Sequence, residues 1–266
     1  MFITKQCYKK DHIFLRETVK LATLSHYRDT EILQIADRDE GRLAFKISIE
    51  VPTWVERRWL NTIAYPSMEF GKGVEAQPVR FPGKGNGYAD KVIQLDGTKT
   101  HVQLAHASIR IEREAPDSLI FCMSMDKTGE DALGSFDYDA RWFFYEEERE
   151  AFAYELGNSL KNLISKPNRG GIIPPELNPD ELTIYCRHRP VIYADRNIII
   201  NGSNDIDLNI LISQMDFMSF IKPSVFSAEQ EYRYMLVLYH NGQVVPFLTD
   251  QVILGISEEW FSKIFS

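Results

Sequence analysis

Three short stretches of the chain hold residue types that could act together. Ser227-Ala228-Glu229-Gln230-Glu231-Tyr232-Arg233 leads into the apolar run Tyr234-Met235-Leu236-Val237-Leu238. On a strand, residues i and i+2 share a face. The spacing therefore predicts Glu229, Glu231 and Arg233 on one face, with Tyr232, Tyr234, Leu236 and Leu238 on the other. Two carboxylates on one face repel, and such a pair can support chemistry beside a developing positive charge, as at an oxocarbenium-like centre. A solvated strand edge with an ordinary Glu–Arg pair has the same spacing. Ser25-His26-Tyr27-Arg28 follows the first apolar segment and offers a hydroxyl, a ring to stack and a guanidinium. Arginine suits a bidentate grip on phosphate or carboxylate, although the polar end of any helix or strand reads alike. Phe121-Cys122-Met123-Ser124-Met125-Asp126 places a serine where a buried strand emerges. No G-x-S-x-G elbow surrounds Ser124, so it reads as a hydrogen-bonding residue rather than a nucleophile. Cys122 reads as a small core residue.

Other features carry less. The six histidines show no H-E-x-x-H or similar ligand spacing, and no metal is expected. Gly83-Lys84-Gly85-Asn86-Gly87 is neither a Walker loop nor a dinucleotide-binding fingerprint. Arg187-His188-Arg189 with Lys166 and Arg169 reads first as ordinary surface charge, with a local patch for RNA or NAD phosphates as the alternative. Asp37, Asp39 and Glu40 read first as a solvated turn, with a metal or ribose contact as the alternative.

The elements that must position these residues are mixed. The chain has 266 residues, 44% hydrophobic and 26% charged, which excludes disorder, collagen and coiled coil. Its net charge of −8 argues against a broad nucleic-acid-binding surface, though not against a local basic patch. Three cysteines without a CxxC pair fit a reducing compartment. No apolar run reaches the ~20 residues that span a bilayer, and MFITKQCYKKDHIF lacks the apolar stretch of a signal peptide. A cytoplasmic protein without membrane partners is expected.

Periodicity predicts a strand over Phe14 to Arg28, a helical piece at Asp29–Ile35 and a turn ending at Gly41. Strands follow at Leu43–Ile49, at His101–Arg113 with Val102, Leu104, Ile109 and Ile111 inward, and at Leu119–Met125. The Gly/Pro-rich stretch 71–97 reads as a long loop or flap. The strongest helix runs from Glu146 to Ile164, with Phe152, Leu156, Leu160, Leu163 and Ile164 at helical spacing, stopped by Pro167 and Gly170–Gly171. Strands at Leu182–Arg187 and Val191–Tyr193 precede a helix capped by Asp205 or Asp207, running to Phe220 and stopped by Pro223. Late strands cover Glu231–Tyr239 and Val244–Ile256. The sum is one continuous, strand-rich α+β domain over 1–266.

In chain order, Tyr27-Arg28, the F-C-M-S segment ending at Ser124, and Glu229-Gln230-Glu231 resemble the ADP-ribosyltransferase superfamily. That superfamily carries an Arg or His on an early strand, a Ser or Tyr on a middle strand, and Glu-x-Glu or Gln-x-Glu opening a late strand. F-C-M-S and V-F-S-A-E-Q-E-Y-R also resemble an uncharacterised bacterial family with a late F-x-x-E-x-E-[WY]-R motif, whose members often sit in phage-defence or toxin–antitoxin loci. Three short motifs carry the resemblance across most of the chain. It departs at Ser124, where M-S-M replaces a Ser-Thr-Ser run, and His26 leaves an H-Y-E arrangement open.

The resemblance implies a split, curved, mostly antiparallel sheet with inserted helices. It implies transfer of ADP-ribose from NAD, the substrate, to a protein or nucleic-acid acceptor, with a neutralising antitoxin as partner. Arg28 (or His26) would grip NAD, Tyr27 would stack on nicotinamide and Ser124 would brace the site. Glu231 would bind the ribose 2′-hydroxyl and steady the oxocarbenium-like state, while Glu229 would orient or deprotonate the acceptor. A catalytically silent binding or sensor protein on the same fold, or an NAD glycohydrolase, are the alternatives.

Overall fold

The computed structural model describes residues 1–31, 37–126, 138–166, 171–201 and 207–265. The chain is mixed α+β and divides into two compact units, where its sequence suggests one continuous domain. Unit 1 comprises 1–40, 117–193 and 224–266; unit 2 comprises 41–116 and 194–223. The chain thus enters unit 1 three times.

The first passage forms β1 (Phe2–Cys7), α1 (Ile13–Arg16), β2 (Thr18–Thr23) and α2 (Leu24–Asp29). Unit 2 then takes β3 (Arg42–Ile49), β4 (Thr53–Glu56), α3 (Arg57–Ala64), β5 (Lys84–Gly97) and β6 (His101–Glu114). The second passage through unit 1 gives β7 (Leu119–Asp126), β8 (Ala140–Tyr145), α4 (Arg149–Ile164), β9 (Leu182–Pro190) and β10 (Ile192–Tyr193). Unit 2 is completed by β11 (Asn197–Ile200), α5 (Leu208–Asp216) and β12 (Ile221–Lys222). The last passage adds β13 (Glu231–His240), β14 (Gln243–Val245), β15 (Gln251–Gly255) and α6 (Glu258–Phe265) to unit 1.

Unit 1 is built on an antiparallel sheet in the order β14-β13-β7-β1-β8, with β9 on β13, β2 on β7 and β15 on β2. Alternation divides β13 as the period of two requires. Tyr232, Tyr234, Leu236 and Leu238 enter the apolar core with Phe121, Trp142 and Phe144. Helix α4 lays Phe152 into that core, with ring centroids 5.0 Å from Tyr234, Phe144 and Trp260. The other face of β13 carries Glu231 and Arg233. Unit 2 pairs β11-β3-β6-β4, with β5 on β6; β11–β3 is parallel and the other pairs are antiparallel. Phe45, Ile47, Ile109 and Ile111 pack on its inner face and are buried, as are Trp59, Leu60 and Ile63 of α3.

Several expectations are corrected. The stretch Phe14 to Arg28 is not one strand: Thr23 caps a helix there, its hydroxyl accepting from His26 N, so Ser25–Arg28 are helical. The 71–97 stretch is a loop only in part, because Lys84–Gly97 is a 14-residue strand. Glycine serves close packing there. Gly83 has φ +106, and a Cβ on it would lie 2.1 Å from the Glu114 carbonyl oxygen. β13 is not a solvated edge, since β7 and β9 flank it on both sides. Helix α5 stops at Asp216, and Phe220 ends a separate 3-10 turn. β14 and β15 are followed by a helix with no counterpart in the sequence reading. The helical piece reaching Ile35, the stops at Pro167 and Gly170 and the cap at Asp205 lie outside the described residues.

Candidate functional site

Glu231 is the first residue of β13, and the chain reaches it through a sharp change of direction. Ser224–Glu229 is a 3-10 helix, and Gln230 has a left-handed φ of 43°. Glu229 therefore does not stand two places back on the same strand face, and the paired-carboxylate geometry expected from Glu229 and Glu231 does not form. The backbone N–H of Glu231 donates to the Tyr193 hydroxyl at 2.7 Å, and that of Met125 to the Gln230 carbonyl at 2.8 Å. These bonds fix the start of the strand.

Across the sheet, Glu231 is directly opposite Ser124 of β7, and Ser124 is directly opposite Thr4 of β1. Arg233 is opposite Cys122. Thr4, Glu231 and Arg233 are buried. Glu231 is 5% exposed, Arg233 2% and Glu40 3%. Arg233 Nε donates to Glu231 Oε1 at 2.7 Å, and its Nη1 to Glu40 Oε1 at 2.7 Å. Two carboxylates thus clamp one guanidinium. Burial alone would lower the affinity of Arg233 for its proton, but Glu231 and Glu40 outweigh it and hold the group well above its ordinary value. Burying three ions costs several kcal/mol each and is tolerated only with close, well-directed contacts, which these are.

Helix α2 brings the early motif to this cluster. Its start is tied down by Asp117, whose carboxylate accepts from Ser25 N at 3.0 Å and Ser25 Oγ at 2.7 Å. Tyr27 lies against the Cys122 thiol and beside Glu231; burial, then those two groups, push its hydroxyl well above the usual phenol range. Cys122 is pushed up to about 12 by burial and by the Glu231 carboxylate it faces, so it is a thiol and not a thiolate nucleophile. Arg28 Nη1 donates to the Glu40 carbonyl oxygen at 2.9 Å and joins the cluster through that residue. The His26 ring turns instead to the Gln251 side chain, 2.9 Å away. Lys5 Nζ donates to the Cys122 carbonyl at 2.7 Å, and burial lowers its proton affinity.

The fold therefore gathers Glu231, Ser124 and Tyr27, links Arg28 to them, and leaves His26 and Glu229 to one side. Two further residues complete the cluster. Arg233 is visible in the motif, but its role as the central cation is not. Glu40 reads locally as a turn residue, and only its tertiary contact reveals it. Among the described residues, no group of three or more His, Cys, Asp or Glu side chains is placed to hold a metal ion. The arrangement offers a buried carboxylate beside two hydroxyls, with a guanidinium one residue removed. It can orient a polyol and place negative charge against a developing cation. No protein-family model, no curated protein and no solved structure matches the chain.

Proposed function

We propose that unit 1 transfers ADP-ribose from NAD to a macromolecular acceptor, on a split, curved sheet of the ADP-ribosyltransferase type. One observation carries the reading: Glu231 and Ser124, from motifs 107 residues apart, are direct cross-strand partners, and Tyr27 lies beside the same carboxylate. In the reaction, the bond between nicotinamide N1 and ribose C1′ breaks, and neutral nicotinamide leaves with the electron pair. The acceptor's nucleophilic atom bonds to C1′ and gives up a proton. Glu231 accepts from the ribose 2′-hydroxyl and steadies the positive charge on the ring. Ser124 and Tyr27 position the sugar and the nicotinamide, and Arg28 meets the phosphates. The acceptor is a protein or a nucleic acid. The resemblance to toxin and phage-defence families supports an effector role inside a bacterial cell, with an antitoxin as its partner.

The experiment is incubation of the purified protein with labelled NAD and a cell lysate, followed by separation of protein, RNA and DNA. Wild type is expected to label one fraction, and Glu231→Gln to label it at least ~100-fold more slowly. Equal labelling by both proteins removes Glu231 from the chemistry. A second reading draws on the near-complete burial of Glu231: the triad braces a silent binding protein. In that case wild type consumes no NAD and releases no nicotinamide. Nicotinamide release without labelling marks a glycohydrolase.

A further inference from the structure

The sheet of unit 2 has one open face whose composition does not suit mere solvent exposure. Its central row crosses four strands at directly opposed positions: Ile199 on β11, Lys46 on β3, Arg110 on β6 and Tyr88 on β5. All four are exposed, Ile199 by 62% and Tyr88 by 66%. The next row is Ser48, Ser108 and Lys91. Further along β6, past the register shift between His106 and Leu104 that resets the alternation, Trp54 stands opposite Gln103 and is 41% exposed. A sheet with one solvated face ordinarily turns polar side chains outward. Here rings and an aliphatic side chain stand among cations. Lys46 and Lys91 form no ion pair among the described residues, and Arg110 is held along β6 by Glu112 at 2.9 Å.

We infer that this face of unit 2 binds single-stranded nucleic acid. Tyr88 and Trp54 present rings on which unpaired bases stack. Lys46, Lys91 and Arg110 lie between them, where phosphates of a strand crossing the sheet would pass. Ser48, Ser108 and Gln103 supply donors and acceptors without a fixed code. An open sheet face admits splayed bases, whereas a duplex keeps its bases stacked inside. The chain is acidic overall, at −8, so Lys46 and Lys91, with Arg110 paired to Glu112 between them, are a local feature. The inference goes beyond transferase chemistry and does not depend on it.

The test is fluorescence anisotropy of a labelled oligouridine and a labelled oligothymidine, each about 20 nucleotides long, titrated with the full chain in the absence of NAD. Saturable binding that weakens as salt rises from about 50 to about 200 mM is expected. The double variant Lys46→Glu, Lys91→Glu should bind at least tenfold more weakly. Tyr88→Ala and Trp54→Ala should each bind at least fivefold more weakly, with circular dichroism unchanged. No binding of either oligonucleotide overturns the inference. Loss on charge reversal with the ring variants unaffected also overturns it, because no bases then stack there. Equal affinity for the matched duplex does the same. Glu231→Gln should bind as wild type does, so failure of the transfer reading and failure of this one are read separately.

Discussion

Arg233 in unit 1 and Arg113 in unit 2 are buried equally, each 2% exposed, yet they are held in opposite ways. Arg233 sits between the carboxylates of Glu231 and Glu40. Arg113 donates to the carbonyl of Tyr65, and its Nε has no hydrogen-bond partner among the described residues. Burial lowers its proton affinity, where carboxylates raise that of Arg233. Gly85 of β5 makes room for it: a Cβ there would lie 2.8 Å from Arg113 Nη1. A guanidinium on a backbone carbonyl fastens one segment to another. A guanidinium shared by two ionised side chains sets the charge of a site, and either side chain can be altered without breaking the backbone. The first arrangement is architecture; the second is suited to chemistry.

The largest effect should come from Arg233→Met. It leaves two buried carboxylates without their cation, and removal of one partner from a buried pair costs about 3–5 kcal/mol. Denaturant unfolding would read this, and a loss below about 1 kcal/mol would show that the clamp is not a true buried ion triad. Thr23→Ala removes the cap of α2 and should cost about 1 kcal/mol. It should also slow transfer by loosening Tyr27, a readout that a cap serving stability alone would leave unchanged. Arg113→Met gives up one hydrogen bond to a carbonyl and relieves an orphaned Nε. Its expected cost is at most about 1 kcal/mol, and a loss equal to that of Arg233→Met would erase the contrast between the units. The last effect appears only at alkaline pH. The Cys122 thiol, raised from 9.0 to about 12, keeps its proton in the folded chain after the unfolded chain has lost it. Its contribution is complete below about pH 9 and declines as pH rises toward 12. Cys122→Ala should make the alkaline decline shallower, by at most about 1.4 kcal/mol per pH unit, as measured by unfolding midpoints between about pH 8 and about pH 10.

The local period of two revealed β3, β6, β7 and β13, because each has a face whose buried residues alternate with polar ones or are uniformly apolar. The long helix α4 is legible from the three- and four-residue spacing of its apolar residues, and Phe152, Leu156, Leu160 and Ile164 are its buried face. β5 was not legible. Gly85 and Gly87 suggest a loop, yet they are there because Arg113, Ser67 and Met68 pack against the backbone. Ser124 and Glu231 were identified as a pair only by motif order; their direct opposition follows from the β7–β13 register, which no short-range pattern encodes. Glu229 was misplaced because alternation was extended through Gln230, whose left-handed backbone ends it. Glu40 was hidden for the opposite reason. Its neighbours mark a turn, and its carboxylate is turned inward by a partner 193 residues away.

The three passages of unit 1 have a consequence for synthesis. Tyr27, Arg28 and Glu40 come from the first passage, Cys122 and Ser124 from the second, and Glu231 and Arg233 from the third. A growing chain on the ribosome carries no complete cluster until β13 has been made, and a truncated product ending before β13 lacks Glu231 and Arg233. Whatever chemistry the cluster performs, a cell making this protein meets it only once all three passages have come together.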